Sequence, residues 1–147
     1  MPFIIRWPGT IPAGTIDSTS VISATDIFVS LCSIVGGKYP KRYSSDGEDV
    51  SKTLLGKPGT RRKALYWEYG RNEKGFHYPE GDDRSPSLAV REDNWKLLMN
   101  KEGSSLELYD IKVDPRETTN LAHSNPTVTK KLKESLLKWW NALPTIR

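Results

Sequence analysis

Between residues 64 and 111 the chain runs through four segments in which apolar and aromatic residues are interleaved with polar ones. ALYWEYG (64–70) is rich in aromatic residues, and in SSLELYDI (104–111) apolar residues alternate with polar ones. Such segments are typical of β-strands that bury one face. SLAVREDNWKLLMN (87–100) predicts two more strands, joined by a tight hairpin turn at residues 92–94. Because the links are short, we predict a four-stranded antiparallel meander.

The last apolar pattern has a helical period. In NPTVTKKLKESLLKWWNAL (125–143), one stripe is formed by Val128, Leu132, Leu136, Trp139 and Leu143. Spacings of three and four residues are typical of an amphipathic α-helix. Asn125 is placed to cap this helix, and Pro126 suits its first position. The stripe needs a sheet to cover it, so the pattern predicts an α+β unit with this helix packed on the meander.

Residues 1–36 predict a strand, a loop and a helix. PFIIRW (2–7) is a short apolar run typical of a buried strand, and two Pro and two Gly interrupt the segment that follows. SATDIFVSLCSIVGG (23–37) predicts a helix with Ser23 and Asp26 at capping-box spacing. Its apolar face is formed by Ile27, Leu31 and Ile34.

Residues 37–63 are polar and rich in turn formers, which predicts a surface linker with a helical turn at VSKTLLG (50–56). The change of pattern after this linker divides the chain. We therefore expect a first unit of residues 1–63 and a second unit of residues 64–147.

The composition indicates a folded, polar protein. Of its 147 residues 36% are hydrophobic, and the five Trp, six Tyr and three Phe argue against disorder. No apolar run approaches the roughly 20 residues of a membrane span, so we expect no membrane contact. MPFIIRWPG lacks the basic and apolar regions of a signal peptide. The single Cys32 excludes an internal disulfide.

Basic residues leave a second class of function open. The net charge is +4, and two clusters stand out, namely Lys38, Lys41 and Arg42, and Arg61, Arg62 and Lys63. Such clusters bind nucleic acid or acidic glycans in other proteins. Neither cluster interleaves aromatic residues at a regular period, so we predict no nucleic-acid site. A non-catalytic binding module for an acidic glycan or another polyanion is the alternative function.

The stretch LYDIKVDPRETTNLA (108–122) carries four side chains with oxygen ligands, Asp110, Asp114, Glu117 and Asn120. A calcium loop of the EF-hand type needs acidic residues at alternate positions and a Gly at the bend, and this stretch has neither. Pro115 fixes a turn and makes Asp114 extended. We predict a turn between the last strand and the last helix, with Asp114 and Asn120 capping backbone N–H groups and no bound ion.

The same stretch resembles the D-P-x-E-x-x-N-L-A signature of type I sulfatases, the formylglycine-dependent arylsulfatase family. Five other segments resemble that family in the same order, namely PFIIRWPGTIPAG, SATDIFVSLCSIVG, DGEDVSKTLLG, LYWEYG and LAVREDNWKLL. Val29 and Ser30 replace the family's Pro-Thr, and Asp49 stands where Ser is common. The resemblance implies that residues 1–63 are a strand-loop-helix edge of an alkaline-phosphatase-like α/β catalytic domain, with a linker. It implies that residues 64–147 are the small C-terminal subdomain.

The resemblance also implies the chemistry of the full-length family. A formylglycine, made from Cys or Ser in C/S-x-P-S-R, attacks the sulfur, and a divalent cation, usually calcium, screens the sulfate charge. Cys32 is followed by SIVG instead. We therefore predict that this chain alone is inactive, without catalytic or metal-binding residues. Calcium and formylglycine are implied for the parent, as are a missing N-terminal sulfatase domain and a sulfate-ester substrate.

The long irregular insertion in the meander, residues 70–86, supplies the candidate site residues. Loops of this length are often functional, and in sulfatases the small subdomain faces the mouth of the active-site pocket. The resemblance therefore makes Arg71, His77 and Arg84 candidate substrate contacts in the intact enzyme. An unpaired strand and an exposed apolar patch in residues 1–36 also favour self-association.

Overall fold

The computed structural model describes residues 3–38, 44–69 and 85–144, which fall into two compact units, Met1–Lys63 and Ala64–Arg147. The first unit contains the helices α1 (Ala24–Ile34) and α2 (Ser51–Leu54). The second contains, in chain order, β1 (Leu65–Glu68), β2 (Leu88–Glu92), β3 (Trp95–Met99), β4 (Glu107–Asp110) and α3 (Pro126–Asn141). None of the helices in the described part of the chain has the length and apolarity that a membrane span needs.

The second unit is built on an antiparallel sheet with the strand order β1-β2-β3-β4, which confirms the predicted meander. Glu92 pairs with Trp95, so Asp93 and Asn94 alone form the turn between β2 and β3. Asp93 has a φ of 52°, and Asp is among the few residue types that tolerate this left-handed conformation. The hairpin therefore forms where the sequence predicted it.

Helix α3 covers one face of this sheet, which confirms the predicted α+β arrangement. The core consists of Leu88, Val90, Leu97, Met99, Leu108, Ala122, Leu132 and Leu136. At the edge of this core the ring of Tyr66 stacks on Trp139 at 5.1 Å between centroids, and the Tyr66 hydroxyl lies 2.7 Å from the Ser135 hydroxyl. These contacts fix α3 across the first strand of the sheet.

The start of α3 differs from the predicted cap in one respect. Asn125 is the N-cap residue and Pro126 follows it, but the Asn125 side chain makes no capping hydrogen bond. Its amide group instead donates to the Ser124 hydroxyl at 3.1 Å. The Thr129 hydroxyl bonds the carbonyl groups of Ala122 and Asn125 at 3.0 and 2.9 Å, and so ties the first turn to the preceding loop.

Helix α1 forms where it was predicted, but it buries a different face. The predicted apolar face included Leu31, which is 51% exposed, whereas Asp26, Val29 and Ser30 are buried. The reason is hydrogen bonding to the chain that follows: Ser30 accepts a bond from the N–H of Val50, and Asp26 accepts several. Satisfying these polar groups decides the orientation of α1 within the unit.

The segment at residues 3–7 differs from the predicted strand, since it belongs to neither a strand nor a helix. A β-strand exists only with a hydrogen-bonded partner strand, and the described residues of the first unit contain none. Its large side chains are exposed, with 54% for Phe3, 90% for Ile4, 41% for Ile5 and 48% for Trp7. We call these residues the apolar segment.

Candidate functional site

The face of the sheet that lies opposite α3 carries a pocket of about 540 Å³. Side chains alternate between the two faces of a strand. Leu88, Val90 and Leu97 belong to the core under α3, so Ala89 and Leu98 point to the opposite face and line this pocket. We call it the open-face pocket.

Aromatic residues form one wall of the open-face pocket. Trp67 lies opposite Ala89 on the neighbouring strand, and Ala89 lies opposite Leu98 on the next. The methyl group of Ala89 fills little of the space between its larger neighbours, which leaves a hollow. Tyr69 continues the wall beyond the end of β1, where its N–H donates to the carbonyl of Ser87 at 2.8 Å. Trp67 and Tyr69 are 46% and 45% exposed.

Charged residues form another side of the pocket. Arg91 and Lys96 lie directly opposite each other on β2 and β3, a placement that is unfavourable for two like charges. Glu117 offsets it, because both of its carboxylate oxygens lie 2.7 Å from the Lys96 ammonium nitrogen. On the next strand Tyr109 donates to Glu107 at 3.0 Å, and burial together with that carboxylate raises the pKa of Tyr109 to about 12.

The turn that follows β4 holds Glu117 in place. Asp114 accepts hydrogen bonds from the N–H groups of Thr119 and Thr118, at 2.9 and 2.7 Å, and these bonds hold the pKa of Asp114 below its ordinary value. Asn120 accepts bonds from the N–H groups of Leu108 and Ala122, at 3.1 and 2.9 Å. The predicted capping roles of Asp114 and Asn120 are confirmed.

The acidic side chains of this turn do not fit a calcium site. Asp110 accepts from the N–H of Lys112, Asp114 accepts from backbone N–H groups, and Glu117 pairs with Lys96. Their oxygens are therefore directed at separate partners, whereas a cation needs them directed at one point. Within residues 3–38, 44–69 and 85–144, no group of three or more His, Cys, Asp or Glu could hold a metal ion.

We expect calcium to leave the melting temperature of the chain unchanged. We also expect Leu121→Ala to lower the melting temperature more than Asp114→Ala, because Leu121 packs against the hydrophobic core while the partly exposed Asp114 only caps backbone N–H groups. Differential scanning calorimetry of the wild type and both variants, with calcium and with EDTA, measures this. A calcium-induced rise in the wild type that Asp114→Ala abolished would contradict the turn interpretation.

The three predicted substrate contacts, Arg71, His77 and Arg84, lie outside the described residues. The described residues on either side of that segment, Tyr69 and Ser85, both line the open-face pocket.

Five residues that line the pocket were not predicted from the sequence as site residues, namely Trp67, Tyr69, Arg91, Lys96 and Glu117. One signal was available, since Trp67 and Tyr69 are two residues apart and so share a face of the strand. The partnership of Lys96 and Glu117 depends on the register of the sheet, which the sequence pattern does not supply.

A second polar centre lies in the first unit, around the buried carboxylate of Asp26. It accepts hydrogen bonds from the N–H groups of Ser23 and Glu48, at 2.7 and 2.8 Å, and from two guanidinium nitrogens of Arg61, at 2.5 and 3.1 Å. The side chain of Asp26 is 0% exposed and that of Arg61 is 7% exposed. Burial acts to raise the pKa of Asp26, but these hydrogen bonds and the charge of Arg61 outweigh it, so the pKa is lowered.

The second basic cluster, Arg61, Arg62 and Lys63, belongs to this polar centre and contacts groups of the protein itself. Lys63 donates to the carbonyl groups of Ser45 and Gly47, at 3.0 and 2.8 Å. The carboxylate of Glu48 accepts from the N–H groups of Arg62 and Lys63. Arg61 is buried against Asp26, so two of the three basic side chains hold the protein's own backbone and carboxylates. This arrangement weakens the polyanion alternative.

Gly47→Ala is expected to destabilise the first unit. A Cβ at position 47 would overlap the backbone carbonyl oxygen of Thr25, at the start of α1. Because moving the backbone of α1 is energetically costly, we expect the free energy of unfolding to fall by about 1–3 kcal/mol, which is typical of overpacking. Gly37→Ala is a contrasting variant, because a Cβ there makes only ordinary contacts, the nearest at 3.4 Å from the carbonyl oxygen of Cys32, and its φ is not left-handed. Urea denaturation of both variants measures the difference, and equal losses would contradict the packing argument.

The first unit also exposes apolar residues on two surfaces. A cavity of about 940 Å³ lies along the apolar segment and is lined by Ile11, Ile22 and Leu54 among others. Exposure is 54% for Phe28 on α1 and 77% for Val35, the C-cap residue that follows the helix. We call Phe28, Leu31 and Val35 the outer face of α1. Apolar exposure on this scale is typical of protein interaction surfaces.

Residues 1–142 match the family profile described as "N-sulphoglucosamine sulphohydrolase, C-terminal". The chain belongs to this sulfatase C-terminal family. The predicted recognition as a C-terminal portion of a sulfatase is therefore confirmed. The matched residues include both units.

Curated relatives of this sulfatase C-terminal chain include N-acetylgalactosamine-6-O-sulfatase of Bacteroides thetaiotaomicron, which is 29% identical over 136 residues. That match covers 92% of this chain and 26% of the relative. Arylsulfatase K of Bos taurus is 28% identical over 138 residues, which cover 92% of this chain and 24% of the relative. The chain thus spans about a quarter of the length of the relatives it matches.

Solved structures show the same fold. The crystal structure of Ps i-CgsB matches 91% of this chain and 27% of its own, with a TM-score of 0.71 and 21% identity. The structure of BT4656 in complex with its substrate D-glucosamine-2-N,6-O-disulfate matches 94% of this chain and 27% of its own, with a TM-score of 0.57 and 25% identity. The predicted fold class is therefore confirmed by the sheet, by α3 and by these structures.

Proposed function

We propose that the chain completes the catalytic domain of a sulfatase and rims its substrate pocket, without supplying the nucleophile or the metal ligands. The observation that carries this proposal is the exposed apolar surface of the first unit, in a chain that matches a sulfatase C-terminal family and covers about a quarter of the length of a sulfatase relative. In the proposal, residues 1–63 are the edge of the catalytic α/β domain with its linker, and residues 64–147 are the C-terminal subdomain.

The apolar segment and the outer face of α1 are the proposed contacts to the catalytic domain. Phe3, Ile5 and Trp7 are large side chains at alternate positions, which suits a strand added to a sheet. Burying a side chain of this kind stabilises an interface by roughly 1.5–3 kcal/mol. The catalytic domain would also carry the formylglycine and calcium of the family, while this chain contributes neither.

The open-face pocket is the proposed contribution of the described residues to substrate binding. Its lining includes Trp67, Tyr69 and Arg91, groups suited to an anionic organic molecule. We propose that Arg71, His77 and Arg84 add further contacts to a sulfate-ester substrate in the intact enzyme. Sulfate esters are the substrate class implied by the names of the relatives, which include N-acetylgalactosamine-6-O-sulfatase.

A chimera tests the proposal. The matching C-terminal region of the Bacteroides thetaiotaomicron N-acetylgalactosamine-6-O-sulfatase is replaced by residues 1–147 of this chain, and hydrolysis of an aryl sulfate is measured. We expect calcium-dependent hydrolysis by the chimera and none by the isolated chain. The relative truncated before the replaced region is the control and is expected to be inactive.

Substitutions in the chimera separate docking from folding. Ile5→Asp places a charge in the apolar segment and should abolish activity, because a buried unpaired charge is strongly unfavourable. Val113→Asp is the matched control, since Val113 is an apolar residue that is 77% exposed and belongs to the second unit, so it is part of neither proposed contact surface. A folded chimera without activity, or hydrolysis by the isolated chain that EDTA removes, would refute the proposed function.

A further inference from the structure

We propose that residues 59–63 form a strap that the carboxylates of Asp26 and Glu48 hold to the first unit, and that release of this strap makes the peptide bond after Arg62 accessible to proteases of the trypsin class. The contacts that hold the strap lie within the first unit. The inference goes beyond the proposed function, because it concerns a site at which the chain itself is modified.

Side chains of the first unit hold the backbone of the strap at both of its ends. The strap belongs to neither a helix nor a strand, so its N–H groups need other partners. The N–H of Gly59 donates to the Ser20 hydroxyl at 2.9 Å. The N–H groups of Arg62 and Lys63 donate to the same carboxylate oxygen of Glu48, each at 2.9 Å. Hydrogen bonds to an ionised carboxylate are stronger than those between neutral groups, so Glu48 is the main attachment of the C-terminal end.

Glu48 holds the strap in its ionised form. Its side chain is 14% exposed. Burial acts to raise the pKa of Glu48, but the hydrogen bonds from the N–H groups of Lys63 and Arg62 and the charges of Arg61 and Arg62 outweigh it, so the pKa is lowered. Truncation of this side chain would therefore remove one charged acceptor from two backbone donors at once.

Arg62 differs from its two basic neighbours in the exposure of its side chain. Arg61 is 7% exposed and engaged with Asp26, and the ammonium group of Lys63 donates to two backbone carbonyl groups. The side chain of Arg62 is 91% exposed and lies no closer than 3.6 Å to Glu48 in their ion pair. Proteases of the trypsin class place the side chain that precedes the cleaved bond in a pocket with a carboxylate at its base. Arg62 can enter such a pocket while its neighbours keep their contacts.

The strap contacts also hold the bond that would be cleaved. Its amide N–H is that of Lys63, which donates to Glu48. Hydrolysis consumes one water molecule and leaves a carboxylate on Arg62 and an amino group on Lys63. When local opening and closing are fast, proteolysis of a folded protein follows the population of the opened form. The attachment of the strap at Glu48 therefore sets the rate of cleavage, which would separate residues 1–62 from residues 63–147.

Limited digestion of the 147-residue chain with trypsin tests this inference, with mass spectrometry measuring the initial rate at which the new N-terminus at Lys63 appears. We expect Glu48→Ala to accelerate this cleavage about tenfold, as loss of charge-assisted bonds does. Asp49→Ala is the matched control, because the carboxylate of Asp49 accepts from the N–H of Ser51 instead. Equal rates in the wild type and Glu48→Ala, or equal acceleration by both variants, would overturn the inference.

A second bond distinguishes release of the strap from unfolding of the first unit. Lys52 lies in α2, so trypsin can cleave after it only when that helix opens. In Glu48→Ala we expect faster cleavage after Arg62 and an unchanged rate after Lys52. Glu48→Gln keeps an oxygen acceptor without the charge, so its rate should be intermediate. If the rates after Lys52 and Arg62 rose by the same factor, the strap would not open separately, and the inference would be wrong.

Arg62→Met tests the assignment of the cleaved bond. We expect cleavage between residues 60 and 64 to fall in this variant, because Asp26 holds the side chain of Arg61 and carbonyl groups hold that of Lys63. Arg62 is itself exposed, so the substitution should leave the contacts of the other basic side chains in place. Cleavage after Arg61 or Lys63 at the wild-type rate for Arg62 would show that exposure of Arg62 does not select the site, and would overturn the inference.

Discussion

Arg61→Met is expected to destabilise the first unit by about 3–5 kcal/mol, the cost of leaving one charge of a buried ion pair without its partner. The carboxylate of Asp26 would keep the N–H groups of Ser23 and Glu48 but lose both guanidinium nitrogens. The methionine side chain has a similar length and cannot donate a hydrogen bond. Urea denaturation followed by the amide signals of Ser23 and Glu48 in NMR spectra measures the loss where it occurs.

Arg62→Met is the matched control for this variant. The side chain of Arg62 is 91% exposed, although it lies only 3.6 Å from Glu48. Exposed ion pairs contribute little to stability, so we expect a change within about 0.5 kcal/mol. Equal losses in the two variants would show that the buried pair does not hold the first unit together.

The pair also predicts how stability depends on pH. The pKa of Asp26 in the folded chain lies below its ordinary value of 3.8. A carboxyl group whose pKa is lowered by folding binds protons more readily in the unfolded chain. Its stabilisation is therefore fully present above about pH 4 and is lost as the pH falls through the folded-state pKa. In Arg61→Met this acid-dependent loss should become smaller, because the charge that lowers the pKa has been removed.

Leu136→Ala is expected to destabilise the second unit by about 2–5 kcal/mol, the range measured for buried Leu in protein cores. Leu136 is fully buried and belongs to the core between α3 and the sheet. Its loss would leave a cavity in the core that also contains Leu97 and Leu108, and the strands cannot close this cavity without breaking their pairing. Thermal unfolding, monitored by the signal of Trp139, measures the change. Val113→Ala is the control, because Val113 is 77% exposed.

The sequence was sufficient to predict most of the fold of the second unit. The hydrophobic periods of its strands and of α3, and the short links between them, leave few alternative folds. The stripe containing Leu132 and Leu136 is the one that the structure buries. The turn at Asp93 and the caps from Asp114 and Asn120 follow from local chemistry within a few residues. Turns and caps of this kind depend only on residues a few positions apart, so the sequence contains all the information needed to predict them.

The predictions from the sequence were wrong where contacts between residues that are distant in the chain determine the structure. Helix α1 was predicted to bury Leu31, but the hydrogen bonds that Asp26 and Ser30 make with residues 48–61 turn another face inward. The apolar segment has the apolar pattern of a strand but no partner strand among the described residues, and a strand does not form without one. In the candidate site, the placement of Arg91 opposite Lys96 required the register of the sheet. Arg71, His77 and Arg84 stay predictions.

Hydrogen exchange at residues 3–7, compared between the isolated chain and the active chimera, tests the central claim most directly. We expect these amides to exchange without protection in the isolated chain and to become protected in the chimera, as the apolar segment pairs with the catalytic domain. The amides of Leu97, Leu98 and Met99 in β3 should be equally protected in both. Residues 3–7 that were protected in the isolated chain, or unprotected in an active chimera, would contradict the account.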